Sequence, residues 1–256
     1  MQSQRLRHQV GAPACRIGLA ALVVGSGLAL TFACSRSRAA AQDRAPEPVA
    51  IALPARPPSG AVVLFSGKPG DITSNWYKRG STDPAPWVAE ADGCMSPRAG
   101  DITSKAEFGD CYIHVEFRPT VDDQGKTRGH GNAGVGLQGR YEIQIMDSFG
   151  AAPEAHGCGS MYSQKPPRVN ACKKAGEWQT FDIIFRAPRL DASGAVVEKA
   201  RATVFQNGIL ILNNEDFAGP TGIQYGDFKG EAKTGPIVLQ GDHDPVQFRN
   251  IWVAPL

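Results

Sequence analysis

After its first 41 residues the chain has no basic run longer than the pair Lys173-Lys174, so it offers no electrostatic footprint for nucleic acid or anionic lipid. No Cys-x-x-Cys spacing occurs, which argues against a zinc–thiolate site. No long stretch repeats apolar residues at the 3.6-residue period of a helix, and a helical bundle is excluded. The longest apolar run, Ile17–Ala33, has 17 residues and is marginal as a membrane span. Residues 1–41 contain no Asp or Glu at all.

That acid-free segment carries Arg5, Arg7, Arg16, Arg36 and Arg38, and it accounts for the net charge of +2. Without it the chain holds 22 basic and 25 acidic residues, a net charge of −3. Arginines ahead of a short apolar run have the form of a secretion signal, here residues 1–41. Three exits stay open. Ala39-Ala40-Ala41 offers a small-residue cleavage site, Thr31-Phe32-Ala33-Cys34 resembles a bacterial lipoprotein box, and an uncleaved apolar anchor is the third. Each places the domain outside the cytoplasm, periplasmic or secreted, with a membrane tether through Cys34 or the apolar segment in the last two. Residues 42–59 contain Pro46, Pro48, Pro54, Pro57 and Pro58 and read as an extended linker.

Residues 60–256 remain as one folded domain, rich in turns given 29 Gly and 19 Pro in the whole chain. Of six cysteines, Cys15 and Cys34 fall in the signal. The other four are an even number suited to an oxidising compartment. The expected pairs are Cys94–Cys111 and Cys158–Cys172, each closing a short loop.

Alternation at period two predicts strands at 61–65, 112–118, 134–138, 141–146, 179–186, 202–206, 209–212, 237–240 and 247–253. Asn207-Gly208 is a two-residue hairpin signal. The pattern is all-β, a sandwich or jelly roll. Gly-Asp-Ile-Thr-Ser occurs at 70–74 and again at 100–104, and is read at both places as turn-to-strand chemistry. The stretch 148–177 has no period and reads as a functional loop or a passive insertion.

Within 141–146 the alternation turns Tyr141, Ile143 and Ile145 to the core and Glu142 and Gln144 to the other face, roughly 6.5–7 Å apart. A solvated outer face would explain them, as antiparallel sheets often have one. His114 and Glu116 alternate the same way, and Asn132, His243 and Arg249 add polar groups on or near strands. A curved face of carboxylate, amide, imidazole and guanidinium suits the hydroxyls of a sugar, and one of Trp76, Trp87, Trp178 and Trp252 is expected to stack on it. Simpler readings exist: Arg249 can pair with a carboxylate on its own face, Asp147 can cap a turn, and His130 and His156 can be loop residues.

The run Gly-Arg-Tyr-Glu-Ile-Gln-Ile-Met-Asp-Ser at 139–148 follows Asn132-Ala133-Gly134 and precedes Gly176-Glu177-Trp178-Gln179. Val246-Gln247-Phe248-Arg249-Asn250-Ile251-Trp252 comes near the end of the chain. In this order, across residues 61–256, the sequence resembles the 3-keto-disaccharide hydrolase family. The resemblance implies a concanavalin A-like, laminin-G-like jelly roll that cleaves glycosides whose sugar carries a ketone at C3. It places Glu142, Gln144 and Asp147 at the site, with Glu116, Asn132 and His243 around it. Asn132-Ala133-Gly134 departs from the family's common Asn-Ser-Gly.

A C3 ketone acidifies the C2 proton. A base can remove it, the enolate can expel the C1 oxygen, and water can add to the enone. Such a site needs one base and a stabiliser for the enolate, not two paired carboxylates. The expected roles are Glu142 or His243 as base or metal ligand, with Arg249 or a divalent cation such as Ca, Mg, Mn or Zn as stabiliser. No organic cofactor is implied. A non-catalytic carbohydrate-binding module and a conventional glucanase-like glycosidase are the alternatives. Gln144, an amide where a second carboxylate would stand, speaks against the latter.

Overall fold

The computed structural model describes residues 48–221 and 228–256. The expected signal, with Cys15 and Cys34, and the first part of the linker lie outside the described residues. Among those described, no helix is long and apolar enough to cross a membrane.

The chain opens with β1 (Val62–Phe65), the short α1 (Pro69–Asn75) and β2 (Trp76–Lys78). Then come β3 (Val88–Ala89), β4 (Met95–Ser96), β5 (Ile102–Phe108) and β6 (Cys111–Pro119). Next are β7 (Ala133–Leu137), β8 (Tyr141–Ile145), β9 (Gln179–Arg186), β10 (Arg189–Leu190) and β11 (Val196–Glu198). β12 (Arg201–Gln206), β13 (Ile209–Asp216), β14 (Gly235–Leu239) and β15 (Val246–Pro255) complete it. All described pairings are antiparallel.

Two sheets face each other as a jelly-roll sandwich. One has eight strands in the order β13-β12-β9-β6-β15-β4-β3, with β1 alongside β15; the other runs β2-β5-β14-β7-β8. β10 and β11 form a separate ribbon. The inward residues of each strand meet between the sheets: Phe117 and Phe181 lie 4.6 Å apart, and Tyr141 of β8 packs on Phe185 of β9 at 5.6 Å. Asn207 and Gly208 both take positive φ, 53° and 79°, as the tight turn joining β12 to β13 requires.

The repeated pentapeptide adopts two structures. Its first copy lies in α1, where Pro69 starts the helix and Asp71 accepts hydrogen bonds from Ser66 N and Oγ at 2.7 Å. Its second copy enters β5, where Ile102 is buried in the core. Tertiary contacts override the shared local sequence.

All four described cysteines are free thiols. Cys94 and Cys111 cannot be partners. Met95, next to Cys94, pairs with Phe248 of β15, whereas Cys111 pairs with Pro255 at the far end of the same strand. At about 3.3 Å per residue that separation is roughly 20 Å, far beyond disulfide reach. Burial pushes both thiols up to about 12. Cys158 and Cys172 do lie side by side.

The linker does not hang free. From residue 48 it lies on the outer face of the eight-stranded sheet, where Ile51 N donates to Gly208 O at 2.9 Å and Asn250 Nδ2 donates to Ala55 O at 2.7 Å. Ile51, Leu53 and Ala55 roof a cavity of about 240 Å³ over His114, Asp182 and Lys173.

Candidate active site

Strand alternation builds two polar faces on opposite sides of the core. The outer face of the five-stranded sheet carries Glu142 and Gln144 of β8, paired across to Gly136 and Gly134 of β7. Gly136 also pairs with Val238 of β14, and Val238 with Thr103 of β5, which brings Thr103 and Gln240 to the same face. This face is not solvated: Glu142 is 2% exposed and Gln144 1%.

The residues bond in a row. With its hydrogen bonds satisfied, the Gln144 amide nitrogen donates to Glu142 Oε1 at 2.9 Å and to Ala133 O at 3.1 Å. With the Asn132 amide turned likewise, its nitrogen donates to the Gln144 oxygen at 3.1 Å. Glu142 N donates to Thr221 Oγ1 at 3.0 Å. The floor has no side chain, because a Cβ built on Gly134 would lie 2.1 Å from Glu142 Oε1 and 3.0 Å from Gln240 Oε1. Gln240 Oε1 and Thr103 Oγ1 are buried without a partner among the described residues, so the face keeps unused hydrogen-bonding capacity.

Burial, reinforced by the nearby charges of Asp101 and Asp242, raises the Glu142 carboxyl to about 8. Asp101 is raised to about 6, again chiefly by burial. Asp101 is already committed elsewhere: Oδ1 accepts Gly241 N at 2.9 Å and Oδ2 pairs with Arg79 at 3.2 Å. Glu142 is thus the carboxylate here without a cationic partner among those described. Phe228 packs over Gly139 and contacts the guanidinium groups of Arg79 and Arg140.

Of the residues expected from the sequence, Glu142, Gln144 and Asn132 come together here. His243 stands at the rim on the β14–β15 loop, its side chain 49% exposed and 3.6 Å from Asp242. Asp147 lies just beyond β8; its Oδ1 accepts Phe149 N at 3.5 Å, the turn-capping arrangement, and its Oδ2 is bonded by Thr127 Oγ1 of another loop. Among the described residues no group of three or more His, Cys, Asp and Glu is placed to hold a metal. Glu142 is buried and the His243 side chain is 49% exposed, and neither joins such a group.

Glu116 and Arg249 are displaced from the site altogether. They belong to the outer face of the eight-stranded sheet, with the core between them and Glu142, and they pair with each other: Arg249 Nε to Glu116 Oε2 is 2.6 Å. Asn250 Nδ2 also donates to Glu116, at 2.8 Å, and the Arg249 guanidinium lies 4.1 Å from the Trp178 ring centre. Arg249 therefore cannot stabilise an enolate formed at Glu142. Period-two alternation names the outward face of a strand but not the sheet that the strand joins. Trp76 and Trp252 are fully buried, Trp87 nearly so, and Trp178 is flanked by Arg118 and Arg249; none of the four stacks at the Glu142 site.

Sequence reasoning missed Gln240, Asp101 and Asp244. The alternation through 237–240 could have turned Gln240 outward with Val238. Asp244 leaves no such pattern. Its Oδ2 accepts His130 N at 2.8 Å and Asn132 N at 2.9 Å, and so fixes the loop that presents Asn132.

Residues 60–254 match the 3-keto-alpha-glucoside-1,2-lyase-like domain. A crystal structure from Parabacteroides distasonis ATCC 8503, described as a candidate glycosyl hydrolase, is 32% identical with a TM-score of 0.65, covering 78% of this chain and 86% of that one. A second structure from the same bacterium, similarly described, is 17% identical with a TM-score of 0.55, covering 77% of this chain and 94% of that one, and is similar in fold. A third is 20% identical with a TM-score of 0.53, covering 77% and 99%, and is likewise similar in fold. No curated protein matches the chain. Over residues 60–254 the chain belongs to the 3-keto-alpha-glucoside-1,2-lyase-like family, a carbohydrate-active domain of the glycosyl hydrolase type.

Proposed function

We propose that the domain cleaves glycosides of 3-keto sugars by elimination and hydration, with Glu142 as the base that removes the C2 proton. The observation that carries this reading is one buried carboxylate without a cation, set among the amides of Gln144, Asn132 and Gln240 above a glycine floor. A conjugate acid near 8 makes Glu142 a far stronger base than an exposed carboxylate, and close to the range in which general bases work best. Gln240 Oε1 can accept a hydrogen bond from a sugar hydroxyl, and the Thr103 hydroxyl can donate one to the charge developing on the C3 oxygen. Asp101, bound to Arg79 and Gly241, is not free to complete the two-carboxylate machinery of an ordinary glycosidase.

Electrons move from the C2–H bond into the enolate and then expel the C1–O leaving group. Water adds at C1 of the resulting enone and C2 regains a proton, so the net change is hydrolysis. The acid-free, Arg-bearing N-terminus supports action outside the cytoplasm, where glycosides are met before uptake. A substrate deuterated at C2 tests the route. Slower aglycone release than from the protiated sugar supports elimination, and equal rates over the full pH range count against it.

A further inference from the structure

Cys158 is buried and Cys172 half-buried, both in the long irregular segment between β8 and β9. One amide nitrogen, Gln206 Nε2 of β12, donates to both sulfurs, at 3.3 Å to Cys158 and 3.2 Å to Cys172. That shared donor sets the two sulfurs side by side. Each backbone is fixed in place. Cys158 N donates to Ser148 Oγ at 3.0 Å, and its neighbour Gly159, at φ 80°, sits so close to Ile211 that a Cβ there would lie 2.3 Å from Ile211 Cδ1. Cys172 N donates to Asn170 Oδ1 at 2.9 Å, and residues on either side of it bond to Asn207 and Gln179 of the eight-stranded sheet's turn and strand.

The two cysteines anchor different layers. Gly159 N donates to Gln144 O at 2.8 Å, Gln144 N to Ser160 O at 3.0 Å, and Tyr162 N to Glu142 O at 3.2 Å. Segment 159–162 is therefore the outer pairing partner of β8, the edge strand that carries Glu142 and Gln144. Residues 171–173 are held instead by the eight-stranded sheet, through Asn207 and Gln179.

We propose that Cys158 and Cys172 are a redox-active pair whose disulfide ties the backing of the Glu142 strand to the opposite sheet. The half-buried Cys172, as thiolate, attacks a sulfur of a small-molecule disulfide and releases one thiol. Cys158 then loses its proton and attacks Cys172 Sγ of the mixed disulfide, releasing the second thiol. Two protein thiols are oxidised and one external disulfide is reduced to two thiols. The hydrogen bond from Cys158 favours the Cys172 thiolate, while burial keeps Cys158 protonated until that second step. This inference does not rest on the reaction proposed for Glu142.

The full chain, reduced and then equilibrated with excess glutathione disulfide, is alkylated and mapped by mass spectrometry. The expected product is a Cys158–Cys172 cross-linked peptide, with Cys94 and Cys111 alkylated. Oxidation should also slow hydrogen exchange at the amides of Gln144, Gly159 and Tyr162 about 10-fold or more. The slowing should vanish in Cys172→Ala, which leaves Cys158 in its buried site. The proposal is overturned if both thiols stay alkylatable, if the bridge forms elsewhere, or if these amides exchange equally in both redox states.

Discussion

Glu142 occupies the space in front of Gly134, so that a Cβ on Gly134 would lie 2.1 Å from Glu142 Oε1. Glycine here is a requirement of the site, since its φ is ordinary and any residue could adopt it. Gly134→Ala should displace the carboxylate and lower kcat/KM about 100-fold, as a misplacement of about 1 Å does. The near-UV circular dichroism should persist, because a single added methyl costs about 1–3 kcal/mol. Steady-state kinetics on a 3-keto-glucoside with that spectrum as control measures both.

Gln240 separates binding from folding. Its Oε1 is buried with no partner among the described residues, so the free protein bears a desolvation cost that substrate would relieve. Gln240→Met should leave the urea midpoint unchanged or higher while raising KM about 10-fold, the loss of roughly one hydrogen bond to a neutral group. A fall in both stability and affinity would assign Gln240 a structural role instead.

On the other sheet, His114 Nδ1 lies 2.7 Å from Asp182 Oδ1, which also accepts Tyr112 Oη at 2.7 Å, and His114 Nε2 lies 3.7 Å from Glu116. Burial alone would lower the His114 pKa, but hydrogen bonds to Asp182 and Glu116 prevail and raise it to about 9. Burial would raise Glu116, but hydrogen bonds from His114, Asn250 and Arg249 hold it down at about 2. The His114 contribution is thus complete below its unfolded value of 6.5 and disappears as pH rises through about 9. That of Glu116 is complete above 4.5 and disappears as pH falls through about 2. Urea midpoints of the wild type should fall between about pH 6 and about pH 9.5, and those of His114→Gln should change less over that interval.

Arg249 tests the division between the two faces. Arg249→Met takes from the half-buried Glu116 its nearest cation, leaving only His114, and should cost about 2 kcal/mol, much of it recovered by adding Glu116→Gln. Activity at Glu142 should change less than about threefold, since the core separates the two groups. Thermal melts and kinetics of the single and double variants provide the readout.

Much of the fold was legible because period two is a strong local signal. Strand β9 (Gln179–Arg186) matches its expected bounds, and the Asn207-Gly208 turn forms as its residues demand. β3, β4, β10 and β11, of two or three residues each, are too short to show alternation; the turn-to-strand reading of the repeated pentapeptide holds at 100–104, where β5 begins, and fails at 70–74, which is helical. At the site, Glu142 and Gln144 were legible because one strand carries both. Glu116 and Arg249 were misplaced because β6 and β15 join the opposite sheet, which depends on pairings of long sequence separation. Asp101 and Gln240 were missed for the same reason: only the β5–β14–β7 pairing brings them to Glu142.

Glu142→Gln keeps the shape of the side chain and removes the base. Aglycone release from a 3-keto-glucoside and from its unoxidised parent, by wild type and variant, is the most direct test of the account. The prediction is turnover of the keto sugar only, abolished in Glu142→Gln with substrate binding retained. Equal cleavage of the unoxidised parent, or undiminished turnover by the variant, would contradict it.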